Sequence, residues 1–350
     1  MKLTVHPYAI PLRHPFRIAH GEQHHAGGLL VALEADGITG WGEAPAVGHY
    51  GATLERLRAG LEGVRAVVEK TPPMPPERFW ERLRAVLPDD AWGRFVLCAL
   101  DEAMHDWWGR AHDQPTWRLW GLEADRLPVS NYTVGLDSIE RMAAKIEEFA
   151  DWPVFKIKLD RDHGLEVLEA LRARTDAVFR VDANCAWSAR RTLELMPGLK
   201  RLGVELVEQP LAPDDWEGMR RVRAGRCLPV IADESCQTEA DVARCAAVFD
   251  GINVKLTKAG GLTPARRMLE EARRLCLRRM AGCMVETSVG IAALAQLLPL
   301  LDWVDMDGAL LLAGDVAEGV RLERGRPVLP EMPGNGATIR PDWLVRFGRD

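Results

Sequence analysis

From Leu127 onward, short apolar runs end on chemically active side chains at a nearly constant interval. VFKIKL reaches Lys158, VFRVDAN reaches Asp182, VELVEQP reaches Glu208, PVIADES reaches Asp233 and GINVKLT reaches Lys255. The successive spacings are 24, 26, 25 and 22 residues. Segments of helical pattern, such as HGLEVLEALRART and TPARRMLEEARRLCL, fill the gaps. A strand followed by a helix and a return to the same starting level forces parallel strands with helices outside them. With VSNYTVG before this series and RMAGCMVET and DWVDMDG after it, the strands number eight, which predicts a parallel (β/α) barrel.

The first third reads differently, as α+β. LTVHPYAIPL, LLVALEA and GWGEA are strand patterns, and Asp36-Gly37 between the last two is a two-residue hairpin signal. A helix near 53–70 and another from about 77, separated by TPPMPPE, precede the helical run RFVLCALDEAMHDWWGRAH. The tail after 315 shows only short strands and turns and is expected to return to the N-terminal unit. The predicted division is a capping domain over 1–122, a barrel over 123–314 and a returning segment over 315–350.

Composition narrows the setting. A net charge of −6 gives no reason to expect nucleic acid as a partner. No stretch approaches the roughly 20 apolar residues needed to span a bilayer, and the first twenty residues hold no signal-like apolar core. Seven scattered cysteines without a C-x-x-C pair suit reduced thiols in a cytoplasm. Only eight of the 45 basic residues are lysines, and four of those fall in KIK and KLTK. Arginine stays protonated at any working pH, whereas a desolvated lysine can act as a base. The clustering points to proton chemistry, or to chance.

Barrel enzymes carry their catalytic groups at the C-terminal strand ends. Here those ends supply Lys156 and Lys158, Asp182 with Asn184, Glu208, Asp233 with Glu234, Lys255, Glu286, and Asp305 with Asp307. Strands lie about 4.8 Å apart, so Asp182, Glu208 and Asp233 on three consecutive strands repel one another unless a cation lies between them. An all-oxygen set suits Mg²⁺; solvated carboxylates or arginine pairs are the alternative. Lys158 and Lys255 flank the trio from opposite sides, an arrangement suited to removing a proton from one face and returning it on the other. Burial and a neighbouring cation are expected to lower a lysine from about 10.4 toward 7–8. Lys156 shares a face with Lys158, and alternation does not say which of the two is the base. Lys258 falls beyond the strand and is expected in a supporting position. The D-x-D of DMDG puts Asp305 and Asp307 on one face, placed to grip a substrate ammonium, or simply to end a strand. His20, His24 and His25 lie in a Gly-rich segment without ligand spacing, as a substrate-contacting lid or as plain surface.

The ordered set GWGEAP, CALDEAMHDWWGRAHDQPTWRLWG, KIK, DAN, EQPL, ADES, NVKLTKAGG and MVETSVGIAA resembles the enolase superfamily, in its muconate-lactonizing-enzyme subgroup, over nearly the whole chain. That resemblance implies a (β/α)7β modified TIM barrel with an N-terminal α+β capping domain completed by the C-terminal tail. It implies Mg²⁺ on Asp182, Glu208 and Asp233, with Lys158 and Lys255 as the acid/base pair. Lys156, Asn184 and Glu234 are then expected to support them electrostatically. The D-x-D is similar to that of dipeptide epimerases, where it binds the α-ammonium, and Thr133, Ser288 and His20 are expected as further substrate contacts. Ala-Glu enzymes of this kind tend to carry an arginine in the N-domain loop, where FRIAHGEQHH has His20 and Gly21, so the preferred dipeptide stays open.

The resulting expectation is a cytoplasmic, Mg²⁺-dependent dipeptide epimerase, and a homo-oligomer by family habit. The rivals are an o-succinylbenzoate synthase or N-succinylamino-acid racemase, a Schiff-base aldolase and a non-catalytic barrel.

Overall fold

The computed structural model describes residues 1–18 and 21–347. The chain opens with three antiparallel strands in the order β1 (Lys2–Ile18), β2 (Gly21–Ala35) and β3 (Ile38–Pro45). Asp36 and Gly37 join β2 to β3 with φ of 51° and 75°, the doubly left-handed turn that matches strand twist. Three helices follow: α1 (Leu54–Glu69), α2 (Pro76–Arg84) and α3 (Ala91–Ala111). Thr53 and Asp90 cap α1 and α3, accepting from the amides of Arg56 and Gly93. Pro76 opens α2, where a missing N–H costs nothing. The α3 helix lies directly on β3, because a Cβ at Gly40 or Gly42 would stand 2.1 and 2.0 Å from the Ala103 and Ala99 carbonyls. Only glycine permits that approach.

The barrel strands are β4 (Tyr132–Val134), β5 (Val154–Lys158), β6 (Val178–Asp182), β7 (Val204–Glu208), β8 (Val230–Ala232), β9 (Gly251–Lys255), β10 (Arg278–Gly282) and β11 (Trp303–Asp305). They lie side by side in chain order and all neighbours are parallel. This is the expected modified (β/α)7β barrel beside an N-terminal antiparallel sheet with its helices. An apolar plug of Leu206, Ile231 and Met280, with Trp303 against it, fills the floor, as small barrels require.

The seam between β4 and β11 is not a ladder. One parallel bridge, Ser130 to Val304, joins them. Side chains complete the join: Asn131 donates to Asp305 at 2.7 Å, Met306 N donates to the Ser130 hydroxyl at 3.1 Å, and Arg180 donates to the Val304 carbonyl at 2.9 Å.

The tail packs back on the N-terminal elements. Ala317 and Ile339 share an apolar cluster with Tyr8, Ile10 and Leu30. Arg110 of α3 donates to the Ala337 carbonyl at 2.6 Å, and Asn335 N donates to Asp106 at 2.7 Å. No helix among the described residues is long and apolar enough to cross a membrane.

Candidate active site

Strand register sets the site before any side chain does. Lys158, Asp182 and Glu208 are paired across β5, β6 and β7, and Lys255, Gly282 and Asp305 across β9, β10 and β11. These residues end their strands at one level, around a chamber of about 870 Å³ counted out to its opening. Lys156, Lys158, Lys255, Asp305, Asp307 and Thr133 line it. Because i and i+2 share a face, both lysines of KIK point inward, and both are buried.

Carboxylates compensate the buried ammonium groups. Lys156, 1% exposed, has its Nζ 3.0 Å from Asp182, 2.8 Å from Glu208 and 2.8 Å from Asp305. Lys158 donates to Asp182 at 2.6 Å, and Lys255 to Asp233 at 2.9 Å. Lys258 sits in the short helix Leu256–Ala259 and donates to both the carbonyl (3.0 Å) and the carboxylate of Asp233. It therefore meets the same carboxylate as Lys255, from a short helix where a loop was expected.

The lowering expected of Lys255 beside a bound cation is not found where carboxylates alone face it, and Lys156, expected to keep its charge, shows the same direction. Burial works against charge at Lys156, yet Asp305, Glu208 and Asp182 outweigh it and hold the amine well above 10.5. At Lys255 burial is likewise overcome, chiefly by Asp233, and this amine too is raised well above its ordinary value. The sequence argument counted burial and positive neighbours but not the direct carboxylate contacts. The same pairs act on the acids. Burial raises Asp233 and Asp182, but Lys255 and Lys258 on the first, and Lys158 and Lys156 on the second, bring both below the usual carboxylate range. Burial and then Asp182 raise Glu208.

Asp182, Glu208 and Asp233 are fully buried and offer oxygen alone. Glu208 Oε1 accepts from Asn253 at 2.8 Å, while Oε2, close to Lys156, receives no directed hydrogen bond. A buried, all-oxygen set from three neighbouring carboxylates, one of whose oxygens meets only the Lys156 ammonium, fits a hard divalent cation. Among the described residues, no three acidic, His or Cys side chains converge on a finished cage; lysines stand against Asp182 and Asp233 instead.

Asp305 and Asp307 meet the chamber together. Burial would raise Asp305, but Lys156 and a hydrogen bond from Asn131 bring it below its ordinary value. Burial and the Asp305 charge raise Asp307 well above its own. Thr133 donates to Asp307 from its backbone N–H and, at 3.2 Å, from its hydroxyl. Its first role is thus to hold that carboxyl. Asn184 donates to Glu234 at 3.3 Å, and both line the chamber. Burial, followed by Asp233 and Asp182, pushes Glu234 up to about 7.

Ser288 is not brought to the chamber wall: it starts the helix Ser288–Ala295, and its hydroxyl donates to Asp315 at 2.8 Å. His20 lies outside the described residues. His24 is exposed and 3.0 Å from Glu22, and His25 is exposed as well. Sequence reasoning missed the lid side of the chamber, where Gln23, Val47, His49 and Tyr50 of the N-terminal unit face the strand ends. It also missed Glu43 on β3, which accepts from Tyr8, from Thr287 N at 2.9 Å and from Gly290 N at 3.0 Å. The GWGEAP motif marked the position of Glu43 but carried no sign of a partner 244 residues away.

Comparison with known proteins agrees with this geometry. Residues 139–343 match the enolase C-terminal domain-like family, and residues 1–121 match the mandelate racemase / muconate lactonizing enzyme N-terminal domain. An L-Ala-D/L-amino acid epimerase from a Maribacter species is 45% identical over 97% of this chain and 99% of its own length. Another from Flavobacterium johnsoniae is 44% identical over 97% of this chain and all of its own. A dipeptide epimerase from Methylococcus capsulatus, solved with Mg and L-Arg-D-Lys, superposes with a TM-score of 0.89 at 32% identity, covering 96% of this chain and 99% of its own. The chain belongs to the mandelate racemase / muconate lactonizing enzyme family of the enolase superfamily.

Proposed function

We propose that this protein is a Mg²⁺-dependent dipeptide epimerase that inverts the α-carbon of the C-terminal residue. The observation that carries the reading is that two buried lysines, Lys158 on β5 and Lys255 on β9, line one chamber, with Asp182, Glu208 and Asp233 at the ends of the three strands between them, just outside its lining. Asp182, Glu208 and Asp233 hold the metal. When bound, Mg²⁺ would act as a Lewis acid on the substrate carboxylate.

The lysine facing the α-hydrogen, as free amine, takes that proton, and the electron pair moves into the carboxylate as an enediolate. The opposite lysine, as ammonium, returns a proton to the other face. Each lysine thus ends with the charge its partner began with, and the reverse reaction uses them in exchanged roles. Lys156 places fixed positive charge beside the developing dianion. Asp305 and Asp307 receive the substrate's α-ammonium, with Thr133 and Asn131 fixing the two carboxyls. A succinylated substrate has no ammonium for this pair, which counts against the o-succinylbenzoate synthase and N-succinylamino-acid racemase readings.

Mass spectrometry of pooled L,L-dipeptides with enzyme and Mg²⁺ in D₂O tests the reading. A gain of one mass unit is expected on a subset, lost from the L,L-substrates when the lysine facing their α-hydrogen is replaced and lost altogether when Mg²⁺ is removed. Exchange on no dipeptide, with Mg²⁺ bound, overturns it. A cytoplasmic setting and self-association belong to the same proposal, and light scattering on the purified protein checks the second.

A further inference from the structure

We infer that Gln209 is the positioning residue that sets the three proposed metal carboxylates against one another. The inference rests on the assignment of Asp182, Glu208 and Asp233 to the metal, and adds the side chain that spaces them. Gln209 directly follows Glu208 at the end of β7, is fully buried and is not among the residues that line the chamber. It must therefore act through others. Its backbone continues the ladders on both sides. Gln209 N donates to the Ile231 carbonyl of β8 at 2.9 Å, and its own carbonyl accepts at 2.8 Å from the N–H of Cys185, in the loop after Asp182. The side chain spans the gap to the end of β8. Oε1 accepts from Asp233 N at 3.0 Å and from Ser235 N at 3.1 Å, while Nε2 donates to the Leu211 carbonyl at 2.8 Å and to the Ser235 hydroxyl at 2.9 Å.

The amide makes two acceptances and two donations, its full capacity. The Ser235 hydroxyl gives its proton to the Pro213 carbonyl at 3.0 Å, so toward Gln209 it only accepts. Turning the amide over would set its NH₂ group against two backbone N–H groups, so its orientation is fixed. One residue thus adjoins Glu208 in the chain, holds Asp233 by its main-chain N–H and meets the loop after Asp182. Lys255 and Lys258 fix the Asp233 carboxylate; Gln209 fixes the backbone that carries it. The backbone of Gln209 shows what this placement costs. Its φ is 33°, in the left-handed region where glycine or asparagine is at ease and a longer side chain is not. Such strain persists where surrounding contacts over-determine it, and it gathers at functional sites. Asn184 and Cys185, at 39° and 67°, repeat it after Asp182. Glycine at 209 would relieve the backbone and lose all of the side-chain bonds. Asparagine would relieve it as well and fall one methylene short of Asp233.

The test measures Mg²⁺ binding by calorimetry without substrate, together with urea unfolding, for the parent, Gln209→Gly, Gln209→Asn and Glu43→Ala. Both Gln209 variants are expected to unfold cooperatively and to bind Mg²⁺ at least about tenfold more weakly, the lower end of what supporting residues contribute to metal affinity. Glu43→Ala unties the joint between β3 and the helix Ser288–Ala295 and is expected to bind Mg²⁺ as the parent does, so that a weakened fold alone does not account for the loss. The Mg²⁺ concentration giving half-maximal deuterium exchange should rise in step in the Gln209 variants. A folded Gln209 variant that binds as tightly as the parent, or an equal loss in Glu43→Ala, overturns the inference and leaves the metal assignment and the epimerase reading standing. Failure of both Gln209 variants to fold overturns it too, since Gln209 would then serve the fold and not the site. A parent that takes up no Mg²⁺ removes the metal assignment and this inference together.

Discussion

Replacing Lys255 by alanine takes the amine from one face of the chamber and leaves Lys158 on the other. Inversion should fall by roughly 10³-fold or more, within the range of general acid–base groups. Deuterium exchange should survive, though only for the configuration whose α-hydrogen faces Lys158. Lys158→Ala should show the opposite preference, and mass spectrometry of L,L- and L,D-substrates in D₂O separates the two. Loss of exchange from both configurations in both variants would contradict a two-base mechanism. Asp305→Asn addresses the other end of the substrate. It removes a charge-assisted contact worth about 1.5–3 kcal/mol, while Lys156 keeps Asp182 and Glu208 within 3.0 Å. KM for free dipeptides should rise about 10- to 100-fold, and the discrimination against N-acetylated dipeptides should shrink with it. These residues could be found in the sequence because each closes an apolar run and alternation fixes its face. What spacing could not convey was the sign of their electrostatics, since that depends on Lys156 touching carboxylates from three different strands.

At the scale of elements, α3 carries one group, His105, whose burial makes it sensitive to acid. His105 is buried there, with its Nε2 3.0 Å from the Thr263 hydroxyl, which itself donates to Asp101 at 2.8 Å. The hydroxyl proton being used, the ring must supply the donor, so the neutral Nε2–H form fits. Burial, with a smaller push from Arg266, lowers His105 from 6.5 to about 3. The unfolded chain therefore takes up a proton below pH 6.5 that the folded chain refuses, and stability is lost as pH falls from 6.5 toward 3. At about 1.4 kcal/mol per unit, this group should cost about 2 kcal/mol between pH 7 and pH 5. His105→Gln should remove that increment, read from urea midpoints at the two pH values. Glu43 is the corresponding joint on β3, accepting two amides at the start of the helix Ser288–Ala295. Glu43→Ala leaves buried donors unmet and should cost about 3 kcal/mol by the same measurement. The strands and hairpin that these elements build on were readable from alternation and from Asp36-Gly37. The joints between them were not, because Glu43 and Thr287, or Asp101 and Thr263, meet only after the chain has folded.

For the molecule as a whole, the proposed metal trio and the fold should be separable. Glu208→Gln keeps the Asn253 contact possible and leaves Lys156 paired, so unfolding should shift little, while Mg²⁺ affinity measured by calorimetry should drop more than about tenfold. Chelation of the parent enzyme should abolish exchange, and added Mg²⁺ should restore it. The barrel was legible from its period of roughly 25 residues, but its covering wall was not, since Val47 and Tyr50 carry no periodic signal and gain meaning only by facing strand ends more than a hundred residues away. The join between β4 and β11 has a consequence of its own. Where a ladder would close the circle, Thr133 N donates to Asp307 and Met306 N to the Ser130 hydroxyl, so the circle's closure depends on side chains that sit at the amine anchor. These two amides should trade hydrogen for deuterium sooner than their counterparts in β6 or β7. If Asp305 and Asp307 take the substrate's ammonium as proposed, a bound dipeptide should slow that trade, turning the least fastened arc of the barrel into a reporter of its cargo.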